Sequence, residues 1–127
     1  IMLNDADGKF TLPSISSATP SDPTAPDQAN NIGASFFFYV ETAATDLDIK
    51  TDGTDKFVGA VIVAINDSTK KAFVPAASND VMTLNGSTKG GIAGSVIKVT
   101  AIDSATYLVH DSLLIGSGTI VTPFADA

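Results

Sequence analysis

Apolar and polar residues alternate along most of this chain in short runs, the pattern of β-strands rather than helices. The clearest case is the stretch 45–50 (TDLDIK), which places Leu47 and Ile49 on one face and charged residues on the other. The stretch Ser35–Glu41 (SFFFYVE) is a strand with aromatic side chains on both faces. Phe57–Ile65 (FVGAVIVAI) is a near-continuous apolar run, which predicts a central strand buried on both faces.

Further strands are predicted between turn signals such as Asn85-Gly86 and Gly116-Ser117-Gly118. Short strands that recur about every 8–12 residues are typical of sandwiches and barrels. The sequence therefore predicts an all-β fold, a single compact β-sandwich or barrel of about nine or ten short strands. The additional predicted strands are 70–74, 81–84, 95–102, 106–110, 113–115 and 119–122.

The stretch Ser16–Asn31 has no aromatic residue and carries three prolines, Pro20, Pro23 and Pro26. Each proline disfavours helical backbone in the residue before it and favours extended geometry. The prediction is an extended N-terminal arm over 1–31 with one short strand, 9–15, followed by the β-domain over 32–127. An ordinary long loop that stays on its own domain is the alternative.

The composition excludes several classes of partner but identifies none. The chain has 127 residues, 13 Asp and one Glu against seven Lys and no Arg, for a net charge of -7. Nucleic-acid binding depends on clustered Lys and Arg, so we expect no nucleic-acid partner. No apolar run approaches the roughly 20 residues of a membrane span, so we expect no membrane partner. The absence of cysteine excludes disulfides, cysteine zinc sites and thiol nucleophiles.

Two acidic stretches are candidates for a hard cation. Asp5-Ala6-Asp7-Gly8 is similar to the middle of a calcium loop, but that register puts Leu3 and Ser14 where Asp and Glu are needed. The stretch 46–55 holds four aspartates, which neighbouring lysines partly neutralise, so an exposed charged face is the preferred interpretation. Whether either stretch binds a cation stays open.

His110-Asp111-Ser112 contains the residue types of a hydrolase triad. In an extended strand, however, Asp111 points away from His110 and Ser112, which is the wrong geometry for proton relay. With one histidine, no cysteine and no arginine, the chain has few groups for acid–base chemistry. We therefore expect no enzyme activity, no catalytic residue, no metal and no cofactor.

The C-terminal stretch ATYLVH (105–110), followed by DSLLIGSGTIVTPFA (111–125), resembles the closing segment of small virion proteins of tailed phages. In these proteins a strand that ends in G-S/T-G-T-x-x-T-P-F terminates a short β-domain. The resemblance implies a capsid decoration (cement) protein or similar minor structural protein. It implies an all-β knob on the outer capsid surface, often a trimer, with an arm that grips neighbouring coat subunits.

On this hypothesis the partner is the major capsid protein, which the domain binds and stabilises on the outside of the virion. The protein is then a homo-oligomer, expected to be a trimer. A recognition module of a secreted or surface protein is the alternative, with Tyr39 or Tyr107 stacked on a carbohydrate or with calcium held by the acidic turns. The candidate interface residues are Pro20, Pro23, Pro26, Phe36, Phe38 and Phe124.

Overall fold

The computed structural model describes residues 1–16 and 30–127. Every regular element in this part of the chain is a β-strand, which confirms the predicted all-β class. The strands form two mixed sheets around one core, a β-sandwich. In chain order the strands are β1 (Met2–Leu3), β2 (Lys9–Thr11), β3 (Ser35–Val40), β4 (Leu47–Lys50), β5 (Lys56–Gly59), β6 (Val61–Ala64), β7 (Lys70–Phe73), β8 (Val81–Leu84), β9 (Val96–Asp103), β10 (Thr106–Ile115) and β11 (Phe124–Ala125).

The larger sheet, sheet A, has seven strands in the order β1-β3-β9-β10-β6-β7, and β5 also pairs with β10. Strands β5 and β6 follow one another along the same long strand, both parallel to it. Sheet B has four strands in the order β11-β8-β4-β2. Strand β10 is long because the predicted strands 106–110 and 113–115 are one strand interrupted by a bulge.

The core consists of the side chains that alternate inward from both sheets. On β4 the prediction for 45–50 is confirmed, since Leu47 and Ile49 are buried while Asp48 and Lys50 lie on the other face. Burying an aliphatic side chain of this size contributes about 1.5–3 kcal/mol relative to exposure. The largest fully buried side chains are Tyr107, Phe38, Phe57, Leu12, Leu47, Ile49, Met82, Leu84, Ile97, Leu114, Val40 and Val61.

The predicted central strand at 57–65 is wrong in two respects. It is two strands, β5, which ends at Gly59, and β6, which begins at Val61, with Ala60 between them. Gly59 has φ +99°, and a Cβ there would lie 2.1 Å from the Val109 carbonyl oxygen, so only glycine fits this break. The run is also buried on one face only, because Val58 and Ile62 are 40% and 43% exposed.

Residues 1–16 belong to the sandwich, which corrects the predicted arm. They contribute two strands instead of one: β1 pairs with β3 in sheet A, and β2 pairs with β4 in sheet B. Leu3 and Leu12 are buried in the core, and this burial is the physical reason that the segment stays on the domain. The rest of the predicted arm up to 29 lies outside the described residues.

The described residues that flank 17–29 meet at one place on the domain. The Asn31 N–H donates a 3.1 Å hydrogen bond to the Ser16 carbonyl, and the Ser16 N–H donates to Asn31 Oδ1 at 2.7 Å. The Asn31 amide also donates to the Ser14 carbonyl at 2.9 Å. Asn31 therefore closes the segment onto the strand region that precedes it.

The C-terminal stretch carries the chain from sheet A to sheet B. After β10, the Gly116 N–H donates to the Ala64 carbonyl at 2.9 Å, and the Val121 N–H donates to the Thr88 carbonyl at 3.0 Å. The predicted strand 119–122 is absent from the described elements, and β11 begins at Phe124 instead. Phe124 is buried against Phe57, with ring centroids 6.2 Å apart. This stretch closes the sandwich.

Candidate interaction surface

The two outer faces of the sandwich differ in chemistry. On sheet B, charged and hydroxyl side chains face solvent, and Lys9, Asp48 and Thr83 lie side by side in register across three strands. The Thr83 hydroxyl donates to Asp48 Oδ1 at 2.7 Å, and Lys9 Nζ lies 3.9 Å from Asp48 Oδ2. On sheet A, the outward positions are mostly apolar. Sheet A therefore presents the candidate interaction surface, which we call the outer face of sheet A.

A transverse row of apolar side chains crosses six strands of this face. Strand register places each of them directly beside the next, and on β3, β9, β10 and β6 the residues on both sides of the row's member are buried. Six strands at about 4.8 Å spacing make the row roughly 24 Å long. Its members, from β1 to β7, are Met2, Tyr39, Val96, Leu113, Ile62 and Ala72.

Two more large side chains extend this row. Phe37 is 49% exposed beside the row on β3, and Val58 is 40% exposed on β5. Together with Met2, Tyr39, Ile62 and Leu113, these side chains are between 40% and 55% exposed. Six such side chains offer on the order of 500 Å² of apolar surface, at the upper end of what a soluble monomer leaves uncovered.

The three phenylalanines that the sequence suggested for an interface do not lie on this outer face; their side chains point toward the core. Phe38 is fully buried, with its ring 4.9 Å from that of Phe10 in an edge-to-face contact, and Phe36 packs against the core. Phe124 is buried as well. Phe38 and Phe124 are thus core side chains and Phe36 is partly buried against the core, so none of the three lies on the outer face of sheet A. Pro20, Pro23 and Pro26 lie outside the described residues.

A chain of hydrogen bonds lies beside the apolar row. Asp111 Oδ2 is 3.0 Å from His110 Nδ1, His110 Nε2 is 2.7 Å from Thr100 Oγ1, and Thr100 Oγ1 is 2.6 Å from Ser35 Oγ. The expected geometry for Asp111 is wrong. The bulge in β10 gives Asp111 a φ of +48°, a conformation that aspartate tolerates, and turns its carboxylate back to the imidazole.

This chain has the acid–imidazole–hydroxyl order of a proton relay, and sequence reasoning missed Thr100 because it lies on the neighbouring strand. Acyl transfer also needs N–H donors aimed at a developing oxyanion. Ser35 and Thr100 are paired residues of the β3–β9 ladder, and Thr100 also pairs with Leu108 of β10. The two hydroxyls therefore occupy neighbouring outward positions on sheet A.

The aspartates of the stretch 46–55 have separate partners. Asp48 bonds to Thr83, Asp52 accepts the Ser14 hydroxyl at 2.6 Å, and Asp55 accepts the Ile15 N–H at 3.0 Å. Across residues 1–16 and 30–127, no group of three or more His, Asp or Glu is placed to hold a metal ion. Asp52 and Asp55 attach the end of the first described segment to the loop before β5, whereas Asp48 joins β4 to β8.

Burial and hydrogen bonding move the two loop carboxylates in opposite directions. The Ser14 hydroxyl, followed by the Asp55 N–H, lowers the pKa of Asp52. Burial raises the pKa of Asp55, and the nearby carboxylates of Asp52 and Asp103 add to the rise. Tyr107 is buried beside this pair, which raises its pKa, and its hydroxyl donates to the Pro13 carbonyl at 2.6 Å. Tyr107 is therefore not available to stack on a carbohydrate.

A second buried carboxylate, Asp80, has a cation as its partner. Lys56 Nζ lies 2.6 Å from Asp80 Oδ2, and the Ala127 N–H donates to Asp80 Oδ1 at 2.7 Å. The Lys56 hydrogen bond lowers the pKa of Asp80, although burial acts against it. A lowered pKa in the folded state means that Asp80 stabilises the fold above its unfolded pKa of about 3.9. That stabilisation is lost as the pH falls through the folded pKa.

We expect Asp80→Asn to destabilise the protein by about 1–2 kcal/mol at pH 7, since it weakens a hydrogen bond to a charged group. It should also flatten the loss of stability below about pH 4. Asp55→Asn is the matched variant, for which we expect an effect of the opposite sign. The pKa of Asp55 is raised, so its ionisation costs stability as the pH rises, and its removal should leave stability at pH 7 equal or higher.

Urea unfolding of both variants between pH 3 and pH 8 measures these slopes. Equal losses at pH 7 for the two variants would contradict the opposite signs of the two pKa shifts.

A shallow groove of about 170 Å³ runs between β1 and β2, with Leu3, Asp5, Lys9 and Phe10 among its lining residues. Ligand pockets usually measure about 300–1,000 Å³, so this groove is small for an organic ligand. In the described part of the chain, no helix is long and apolar enough to cross a membrane. The outer face of sheet A is therefore the most extended candidate for binding.

Comparison of the chain with protein-family models, with curated proteins and with solved structures gives no match. The fold and the site thus define the protein as a two-sheet β-sandwich with one polar and one apolar outer face.

Proposed function

We propose that the protein is a virion structural protein, a capsid decoration protein that binds the outer surface of the major coat lattice and stabilises it. The observation that carries the proposal is the apolar outer face of sheet A, which indicates that the chain assembles with other protein chains, further copies of itself included. A patch of this size with a polar rim is typical of protein–protein contacts. The partners proposed are the major capsid protein and further copies of the chain, on the outside of the virion.

The C-terminal resemblance supports a virion as the assembly in which the protein takes part. The stretch that carries it closes the sandwich, with Phe124 in the core and the Thr83 N–H bonded to the Pro123 carbonyl at 2.9 Å. The similarity therefore falls on a part of the chain that determines the fold. The proposal includes no enzyme activity, because the hydroxyls near His110 occupy outward, partly exposed strand positions on sheet A.

Contact with the coat lattice is assigned to the segment 17–29, which contains Pro20, Pro23 and Pro26. Prolines limit the conformations of a free chain, so less entropy is lost when such a segment binds. The hydrogen bonds between Ser16 and Asn31 support this assignment, since they attach both ends of the segment to one point of the domain.

The composition of purified virions tests the proposal. We expect the protein in virions at a fixed ratio to the major coat protein, and antibody labelling on the outer surface of intact particles. Quantitative mass spectrometry measures the ratio. Absence from virions, or labelling only after particles are opened, would contradict the proposal.

The same particles test the segment. Because Ser16 and Asn31 are hydrogen-bonded, a few Gly-Ser residues can replace 17–29 without changing the core. We expect this variant to keep the wild-type melting temperature and to lose at least tenfold in particle binding. A control with Pro20, Pro23 and Pro26 kept and the intervening residues changed to Ser and Gly should bind within a few-fold of wild type. Unchanged binding of the Gly-Ser variant would remove the segment from the interface.

A further inference from the structure

Charged groups are unevenly distributed on this acidic protein. The chain has a net charge of -7. The outward strand positions on the outer face of sheet A nevertheless include two lysines, Lys98 and Lys70. Asp111 reaches this face only because of the bulge in β10. Lys98 lies in register beside His110, and no ion pair joins Lys98 to a carboxylate within residues 1–16 and 30–127. On the two central strands, β9 and β10, the face thus holds one lysine, Lys98, and one carboxylate, Asp111, while Lys70 lies on the edge strand β7.

We infer that a second copy of the chain covers this face in a two-fold pair. In such a pair, each surface must be complementary to itself. A two-fold axis parallel to the strands, between β9 and β10, exchanges the positions of these two strands across the interface. Lys98 of each copy then faces the His110–Asp111 pair of the other, so both charges find a partner of opposite sign.

The same axis places the apolar row of one copy against the apolar row of the other. The row has three members on each side of the axis, so Tyr39 faces Ile62 of the second copy, Val96 faces Leu113, and Met2 faces Ala72. No carboxylate of the strands falls opposite another along this row.

The two-fold axis also provides space for the ring of Phe37. Phe37 lies one step along β3 from Tyr39, in register with Lys98, and is half exposed. The corresponding position on the other side of the axis is the break between β5 and β6, where Gly59 and the exposed Ala60 leave little side-chain volume. A large side chain thus faces a small one, as in well-packed interfaces.

The area is sufficient for a stable pair. A standard interface buries about 800 Å² on each partner. The apolar centre supplies on the order of 500 Å² of this. The polar rim, which includes Ser35, Lys98, Thr100 and Asp111, supplies the rest. The inferred assembly is a dimer, whereas the resemblance implied a trimer. The inference of a dimer does not depend on the proposed virion function.

Sedimentation velocity of the full chain from about 1 μM to 1 mM tests the pair. Wild type should be a dimer at the higher concentrations. Ile62→Lys places a charge in the row and should weaken dimerisation at least tenfold. Val121→Lys is the matched control, because Val121 is 42% exposed and lies outside sheet A, and it should dimerise as wild type does. Circular dichroism confirms that both variants fold.

The charge pairing has its own test. Lys98→Glu sets two negative charges opposite each other and should weaken the dimer about tenfold, and adding Asp111→Asn should recover part of that loss. A monomer at every concentration, a trimer, or a dimer that Ile62→Lys leaves unchanged would overturn the inference. A Lys98→Glu effect that Asp111→Asn does not relieve would overturn the two-fold register. Virion composition is measured separately, so failure of the pair and failure of the proposed function are distinguishable.

Discussion

Phe38→Ala should lower the free energy of unfolding by about 3–5 kcal/mol, because it leaves a cavity in a core that cannot close fully around it. Phe38 is fully buried on β3 and makes an edge-to-face contact with Phe10. With total stabilities of about 5–15 kcal/mol for domains of this kind, that loss is a large part of the whole. Urea unfolding measures it as a shift in midpoint at nearly constant slope.

The matched control is the next residue. Phe37→Ala removes the same ring from the outer face of sheet A, where it is half exposed, and should cost less than about 1 kcal/mol in unfolding. It should, however, weaken the two-fold pair, which Phe38→Ala affects only through unfolding. A larger loss of stability for Phe37→Ala than for Phe38→Ala would mean that the sides of β3 are assigned the wrong way round, and equal losses would contradict the assignment of Phe37 to the outer face.

The same property of the chain explains both main errors of the sequence prediction. Within Phe36–Val40 and Phe57–Ile65, both sets of alternate residues consist of apolar or aromatic residues and glycine. Alternation identifies the inward face of a strand only when the outward face is polar, as on β4. On β3 it could not tell whether Phe36 and Phe38 or Phe37 and Tyr39 face the core. On β5 and β6 the apolar run suggested that both faces of the strands are buried, although only the face toward the core is covered.

The apolar outward positions were therefore a signal of the exposed apolar face that is the candidate interaction surface, although the sequence alone did not distinguish such a face from a strand buried on both sides. What the sequence could predict well was local: strand existence, turn positions and the all-β class follow from patterns within a few residues. What it could not predict depends on strand register. His110 meets Thr100 because β9 and β10 pair, and Asp55 meets Ile15 because the first segment returns to the loop before β5.

Gly59→Ala should be among the most destabilising single changes in the chain, at about 3–5 kcal/mol. Two effects add. An alanine at φ +99° occupies a region of backbone conformation that L-residues avoid, which costs about 1–3 kcal/mol. Its Cβ would also lie 2.1 Å from the Val109 carbonyl oxygen, so β5 or β10 must move.

Gly53→Ala separates these two effects. Gly53 has nearly the same φ, +96°, but a Cβ there meets no atom within 4 Å. Its substitution should cost only the conformational part, about 1–2 kcal/mol. The difference between the two variants in urea unfolding is then the cost of the close approach of β5 to β10. If Gly53→Ala and Gly59→Ala are equally destabilising, the backbone angle alone accounts for both.

The steric part of the cost has a consequence for the sheet. The Ala60 N–H donates a 3.2 Å hydrogen bond to the same Val109 oxygen, so a Cβ at Gly59 displaces the bond that attaches the start of β6 to β10. Amide hydrogen exchange in Gly59→Ala should therefore accelerate first at Ala60 and along β6, before the rest of sheet A. Because β6 carries Ile62, this local opening should also weaken the two-fold pair, whereas Gly53→Ala, outside the face, should not.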